Sequence, residues 1–276
     1  MKTLVLLIGI FLSQLLPAQI KVVGYFPDYR WEKLDELDYS HISHMCASFA
    51  NPDEEGNMMF SKDLAQFVRV CHKNSVVALI SICGGGDYSW GDKYKIYENL
   101  IETPEARTQF VSKIMGFVRS NGLDGLDNDM EGFAIELPKY NVFSQELADS
   151  LHASGLLYTA ALGVNGQWGA GHLTDLTLSK IDFVMTMSYG GVGHWNWNEK
   201  PNEATLQKYT SDVQYFLDRN YDSSKVVGGV PFYYTEFPQS KQENFGLYNK
   251  TNCELYSNPD FLSKMKKGQD TLKSTD

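Results

Sequence analysis

Asp124-Gly125-Leu126-Asp127-Asn128-Asp129-Met130-Glu131 is the stretch that decides the fold. Gly125 to Met130 has the length of a buried strand, and helical patterns bracket it on both sides. Before it, Thr103 to Asn121 forms a long amphipathic helix, ended by Gly122 where a left-handed turn leaves a helix C-terminus. After it, a helix from about Val142 to Ala153 leads into another apolar strand, Leu156 to Gly163. Strand, helix and strand at this spacing make a βαβ unit, whose strands run parallel and are covered on both faces.

The alternation continues in both directions. Upstream, Val22 to Phe26 is a strand stopped by Pro27, His41 to Phe49 a second and Val76 to Cys83 a third. Ser61 to Asn74 is helical between the last two, with Leu64, Phe67, Val68 and Cys71 on one face. Downstream, Ile181 to Tyr189 is the sixth strand, Ala204 to Arg219 a helix, and Val226 to Phe232 the seventh strand. No Gly-rich phosphate turn follows the first strand, so the pattern fits an α/β TIM (β/α)8 barrel better than a doubly wound sheet. Strand eight is missing: the segment after Phe232 is polar, and Ser257 to Asp276 holds only a short helix-like stretch around Phe261-Leu262. Residues 19–276 are therefore expected to form one barrel, incomplete at its C-terminus, because a barrel lacking a strand leaves two open edges.

Bulk properties agree with one large globular domain. The 276 residues are 43% hydrophobic, 13% aromatic and 21% charged, which excludes a disordered chain. A net charge of −10 gives a phosphate backbone nothing to bind, so nucleic acid is excluded as a partner. Residues 1–18 read as a signal peptide: Lys2 supplies the positive end, Leu4 to Leu16 the apolar run, and Ala18 the small residue before cleavage. That run is too short to span a bilayer, so a secreted protein, extracellular or periplasmic, is expected rather than a membrane-held one. The four cysteines, Cys46, Cys71, Cys83 and Cys253, include no C-x-x-C pair, which argues against zinc. Cys46 and Cys83 sit in apolar strands and read as buried thiols, with any pairing left open. Asn249-Lys250-Thr251 is a glycosylation sequon, meaningful in a eukaryotic host.

The chemistry gathers on the fourth strand. Alternate side chains share a face, so Asp127, Asp129 and Glu131 line up, successive members about 7 Å apart. Like charges that close push at least one pKa upward, as a general acid working near neutrality requires. Glu131 lies at the C-terminal end of the strand, where barrel active sites are built. The same acids could open a calcium loop, but its twelfth position falls on Pro138 and the segment reads as a strand. No metal and no cofactor are expected.

The strand resembles the fourth strand of glycoside hydrolase family 18, the chitinases and endo-β-N-acetylglucosaminidases, which bears D-G-x-D-x-D-x-E. Asp124 to Glu131 matches it at every fixed position. The resemblance runs over roughly Val22 to Tyr233. Val22-Val23-Gly24-Tyr25-Phe26-Pro27 is similar to the family's first strand, and Gly229-Val230-Pro231-Phe232-Tyr233 to its seventh. Ser81-Ile82-Cys83-Gly84-Gly85 is similar to its S-x-G-G motif, with Cys83 in place of the first glycine. Met185-Thr186-Met187-Ser188-Tyr189 resembles the family's M-x-Y-D strand, but the Asp falls on Gly190.

The resemblance implies a retaining mechanism without a protein nucleophile. Glu131 protonates the glycosidic oxygen while the substrate's own N-acetyl carbonyl attacks the anomeric carbon. Asp129 orients that acetamide, Asp127 couples to Asp129, and the Tyr189 hydroxyl bonds the acetamide carbonyl. The expected catalytic set is thus Glu131, Asp129, Asp127 and Tyr189. The expected substrate-binding set is Tyr25, Phe49, Trp90, Met187, Trp195 and Tyr233. Trp31, Trp90, Trp168, Trp195 and Trp197 all follow strands, and flat indoles there suit a sugar cleft. His194 reads as a solvated loop residue, and no G-x-S-x-G elbow offers a serine nucleophile.

The implied substrate is a β-1,4-linked N-acetylglucosamine polymer or oligomer, chitin first and the core of N-glycans second, taken by a monomer. A lectin on the same barrel is the rival: Glu131 argues for an enzyme, Gly190 and the missing strand for a binder.

Overall fold

Seven parallel strands stand side by side in the computed structural model, which describes residues 20–164, 169–190, 204–236 and 254–257. They are β1 (Val23–Pro27), β2 (His44–Pro52), β4 (Val77–Cys83), β5 (Gly125–Asp129), β6 (Leu157–Leu162), β7 (Phe183–Thr186) and β8 (Val226–Gly228), with a two-residue β3 (Met58–Met59) antiparallel to the end of β2. Their spatial order follows the chain, β1-β2-β4-β5-β6-β7-β8. A doubly wound sheet reverses order at its switch point, and none occurs here, so the sheet is an incomplete TIM barrel. Helices α1 (Leu64–Lys73), α2 (Tyr94–Ile101), α3 (Pro104–Ser120), α4 (Gly132–Ile135), α5 (Tyr140–His152), α6 (Asp175–Ser179) and α7 (Leu206–Asp218) fall between the strands. Among the described residues no helix is long and apolar enough to cross a membrane.

Local signals explain the helix bounds. Asp63 accepts from the Ala65 amide to open α1, whose buried face is Leu64, Phe67, Val68 and Cys71. Thr103 caps α3 in the same way, Pro104 occupies its first turn, and Gly122 leaves it at φ +66°. Every residue of β5 is buried. At Gly125 a side chain is impossible, because a Cβ there would lie 2.3 Å from the Leu157 carbonyl oxygen of the neighbouring strand.

The N-terminal ends of the strands carry a repeated clasp that the sequence pattern did not announce. Asp124, just ahead of β5, accepts from the Ala78 amide at 2.7 Å and pairs with His72 Nε2 at 2.8 Å. Asp182, just ahead of β7, accepts from the Tyr158 amide at 2.8 Å and pairs with His152 Nε2 at 3.0 Å. In both, the last turn of a helix is tied to the strand beyond. The sheet's two edges are also joined at this end: Lys21 Nζ donates to the Ser224 carbonyl at 3.0 Å, linking the approaches to β1 and β8.

Several boundaries differ from expectation. The sixth barrel strand, β7, ends at Thr186 rather than Tyr189, although the Met187 amide still donates to the Leu162 carbonyl at 3.1 Å. The seventh, β8, ends at Gly228 rather than Phe232. The Gly229 amide turns to Thr186 Oγ1 at 3.2 Å, and Pro231 has no N–H to offer a ladder. Val230 and Phe232 are exposed, so their apolar character reflects no burial. Beyond them, Tyr233–Glu236 (β9) pairs antiparallel with Glu254–Ser257 (β10), in a polar segment where no further strand was expected. Residues 1–18, the Asn249 sequon, Cys253 and the Phe261-Leu262 stretch lie outside the described residues. Cys46, Cys71 and Cys83 are buried free thiols.

Candidate active site

At the C-terminal end of β5 the side chains of Asp127 and Asp129 point into the barrel, as alternation requires. Asp127 is fully buried. Its Oδ2 accepts from the Tyr25 hydroxyl of β1 at 2.9 Å and from Ser81 Oγ of β4 at 2.7 Å, and its Oδ1 accepts from Thr159 Oγ1 of β6 at 2.8 Å. Register explains two of these donors: Ser81 and Thr159 are the partners of Asp127 on either side. Burial raises the Asp127 pKa, and the three hydroxyls pull it back.

Asp129 has no such cradle. It is 6% exposed, and its Oδ1 is buried without a hydrogen-bond partner among the described residues. Burial first, then the charges of Glu131 and Asp127, hold its carboxyl well above the usual carboxylate range. Burial also lifts Glu131, to about 7. An acid near neutrality thus sits beside a carboxyl that resists ionisation, a division of roles that acid catalysis needs.

The chain after β4 makes room for Glu131. A Cβ on Gly85 would lie 3.3 Å from Glu131 Oε1, and one on Gly84 would strike the Phe49 ring at 2.7 Å. Cys83 and Gly84 are both left-handed, at φ +69° and +71°. Ser89 closes the turn: its Oγ donates to the Gly84 carbonyl at 2.6 Å and accepts from the Glu131 amide at 3.4 Å. Trp90 follows, 44% exposed, with its indole 2.8 Å from where a Cβ on Gly132 (φ +56°) would stand. It meets Phe133 with ring centroids 6.3 Å apart, so an aromatic surface adjoins Glu131.

Tyr25, Phe49, Trp90, Asp127, Asp129 and Glu131 are therefore gathered around the ends of β1, β2, β4 and β5. The Tyr25 hydroxyl, expected on substrate, is committed to Asp127. Tyr189 follows β7 with its ring 3.1 Å from the Cβ position of Gly229, and Met187 Cε lies 3.8 Å from that of Gly163. Gly190 takes φ +75°, and among the described residues a Cβ there would meet nothing within 4 Å. Trp168, His194, Trp195 and Trp197 lie outside the described residues, and Tyr233 is placed by its β9 backbone only.

Trp31 is a correction. It was expected in a sugar cleft, but it stacks on Phe67 at 5.7 Å and packs against Phe26 and Phe60. Its indole nitrogen is buried, because the chain after β1 folds down over α1. Conversely, Thr159, Ser89 and Asn128 were not singled out from sequence. Thr159 carried a usable signal, as a polar residue at an inward position of an apolar strand. Among the described residues no cluster of three His, Cys, Asp or Glu side chains is arranged to hold a metal ion.

Comparison with known proteins bears on this geometry. The sequence profile of the glycosyl hydrolases family 18 matches residues 21–275. Probable chitinase 10 of Drosophila melanogaster is 24% identical over 269 residues, covering 84% of this chain and 12% of the fly protein. Chitinase B of Serratia marcescens is 24% identical, covering 69% of this chain and 48% of its own length. The chain thus spans less than two thirds of either relative. Among solved structures, the chitinase ChiB of Flavobacterium johnsoniae superposes with a TM-score of 0.77 at 28% identity, covering 88% of this chain and 74% of that one. A chitinase of Bacteroides thetaiotaomicron shares the fold, with a TM-score of 0.70 at 22% identity and coverage of 92% and 79%. With a profile match over most of its length and the acid-bearing strand in place, the chain belongs to the glycosyl hydrolases family 18.

Proposed function

We propose that the protein is a secreted retaining glycosidase that cleaves β-1,4-linked N-acetylglucosamine, in chitin or its oligomers, by substrate-assisted catalysis. The observation that carries this reading is the pairing of Glu131, lifted to about 7, with a buried Asp129 whose Oδ1 has no partner among the described residues. Glu131 is protonated over much of the neutral range and can deliver its proton to the glycosidic oxygen. The free oxygen of Asp129 is available to the acetamide N–H of the sugar that attacks its own anomeric carbon. The positive charge that develops on the acetamide then draws Asp129 toward its ionised form. Asp127, held by three hydroxyls, keeps its carboxylate fixed beside Asp129. The intermediate is opened by water, which Glu131 deprotonates as it regains its proton, giving retention at the anomeric carbon.

Trp90 and Phe133 supply apolar faces for sugar C–H patches next to the acid. Tyr189 is assigned to the acetamide carbonyl. Phe49, Met187, Trp195 and Tyr233 are assigned to the walls of the cleft, and Tyr25 to the Asp127 support. The apolar run of Leu4 to Leu16 after Lys2 supports export.

Gly190 favours a second reading, a chitin-binding protein without turnover. Where the motif has an Asp, this chain has a glycine and no side chain. Mass-spectrometric product analysis with chitin oligomers and a high-mannose glycopeptide separates the two, with Glu131→Gln alongside. Cleavage by the wild type alone supports the enzyme, and the product masses name its substrate. Binding without cleavage by both proteins supports the lectin.

A further inference from the structure

Between the two acids of β5 stands an amide on the opposite face. Asn128 is fully buried and points outward from the barrel toward α5, in a layer that Leu126 and Met130 otherwise make apolar. A buried amide is costly unless every polar atom finds a partner. Here it does. Nδ2 donates to the Tyr158 hydroxyl at 2.8 Å and, more weakly, to the Tyr140 hydroxyl at 3.4 Å, while Oδ1 accepts from the Met130 amide at 3.1 Å. Tyr158 is held in turn by Ser144 of α5 at 2.7 Å.

The Met130 bond falls where the sheet lets go. The β5–β6 register ends at Asn128 with Ala160, and the β4–β5 register at Cys83 with Asp129. Met130 lies beyond both, and Glu131 is the next residue. The Asn128 side chain therefore does for Met130 what a ladder would have done, immediately before the acid leaves the strand. Ser89 meets the Glu131 amide from the other side.

We propose that Asn128 is a positioning residue for Glu131: by holding the Met130 amide against a network anchored on β6 and α5, it sets where the acid's carboxyl stands. The assignment rests on the proposed role of Glu131 as proton donor. A positioned acid reacts faster than a mobile one at equal substrate affinity, so the effect belongs in kcat.

The test uses Asn128→Leu, near in volume and apolar, and Tyr158→Phe, which keeps the Asn128 oxygen and the weaker Tyr140 bond but removes the nearer acceptor of its amide. Two readouts need no substrate: amide hydrogen exchange at Met130 and Glu131, and the carbon-13 titration of the Glu131 carboxyl. In Asn128→Leu, exchange at Met130 accelerates by about tenfold or more. The Glu131 midpoint falls from about 7 toward the ordinary glutamate range as the carboxyl swings into solvent. Tyr158→Phe moves both in the same direction by less. With chitin oligomers, kcat drops about tenfold in Asn128→Leu while KM stays within about twofold. A folded variant of either kind whose Met130 exchange and Glu131 titration match the wild type overturns the proposal, whatever its melting temperature. A wild type that cleaves nothing, with both readouts still shifted in Asn128→Leu, overturns the enzymatic reading and leaves the mechanical role of Asn128 standing.

Discussion

Cys83 faces Asp129 as its register partner, and it does so in a left-handed conformation, φ +69°. The next residue, Gly84, is left-handed as well, and its amide donates to the Asp129 carbonyl at 3.0 Å. The chain thus turns sharply beside the buried acid, which is why glycine suits both positions and why Cys83 is unexpected at the first.

A left-handed backbone costs a residue with a Cβ about 1–2 kcal/mol. Cys83→Gly removes that cost but also a buried thiol, a loss of similar size. The two oppose each other, so urea unfolding should place this variant within about 1 kcal/mol of the wild type. Cys83→Val keeps the bulk and adds a β-branch where φ is positive, and it should lose about 2 kcal/mol or more. Equal stability of the two variants would remove the backbone argument.

The proton on Glu131 should govern the alkaline limb of activity. With burial lifting the group to about 7, the protonated acid is present below that pH and lost above it. A profile of kcat/KM should fall through a midpoint near 7 and then about tenfold per pH unit, the apparent value belonging to Asp129 and Glu131 as a pair. An alkaline limb near pH 5 would mean an ordinary exposed glutamate.

Asp129 should destabilise the fold at neutral pH. Its folded-state pKa lies well above the unfolded value, so the folded chain binds the proton more tightly. The stability this contributes is complete below the unfolded pKa and is lost as pH rises through the folded one. Asp129→Asn cannot ionise. At pH 8 it should be the more stable protein by about 1 kcal/mol or more, roughly 3 °C in Tm, and the gap should close near pH 3. Its cleavage of chitin oligomers should fall at the same time. A variant no more stable at pH 8 than the wild type would mean that Asp129 is ionised without cost.

The clasps at the opposite end of the barrel should matter for stability alone. Asp124→Ala leaves the Ala78 amide and His72 without their acceptor, and Asp182→Ala does the same to Tyr158 and His152. Each should cost about 1–3 kcal/mol in chemical unfolding. The Glu131 titration should stay near 7 in both, and a shifted midpoint would show that the clasp reaches the site.

Much of this molecule is written locally. The order of the barrel strands, the helices α1, α3, α5 and α7, the Gly122 exit from α3, and the shared face of Asp127 and Asp129 follow from periodicity and capping, which depend on residues a few positions apart, whereas α2 and α6 were not read from the sequence. The acid-bearing strand was legible for the same reason. Tertiary structure decided the rest. The three hydroxyls on Asp127 come from residues 102, 46 and 32 positions away, and only register and curvature bring Tyr25, Ser81 and Thr159 to one carboxylate. Trp31 turned inward because packing on Phe67 buries its ring, a choice that its position after a strand does not encode. β7 and β8 stopped short of their apolar runs because a strand ends where its neighbour ceases to offer a ladder, whatever its own residues prefer.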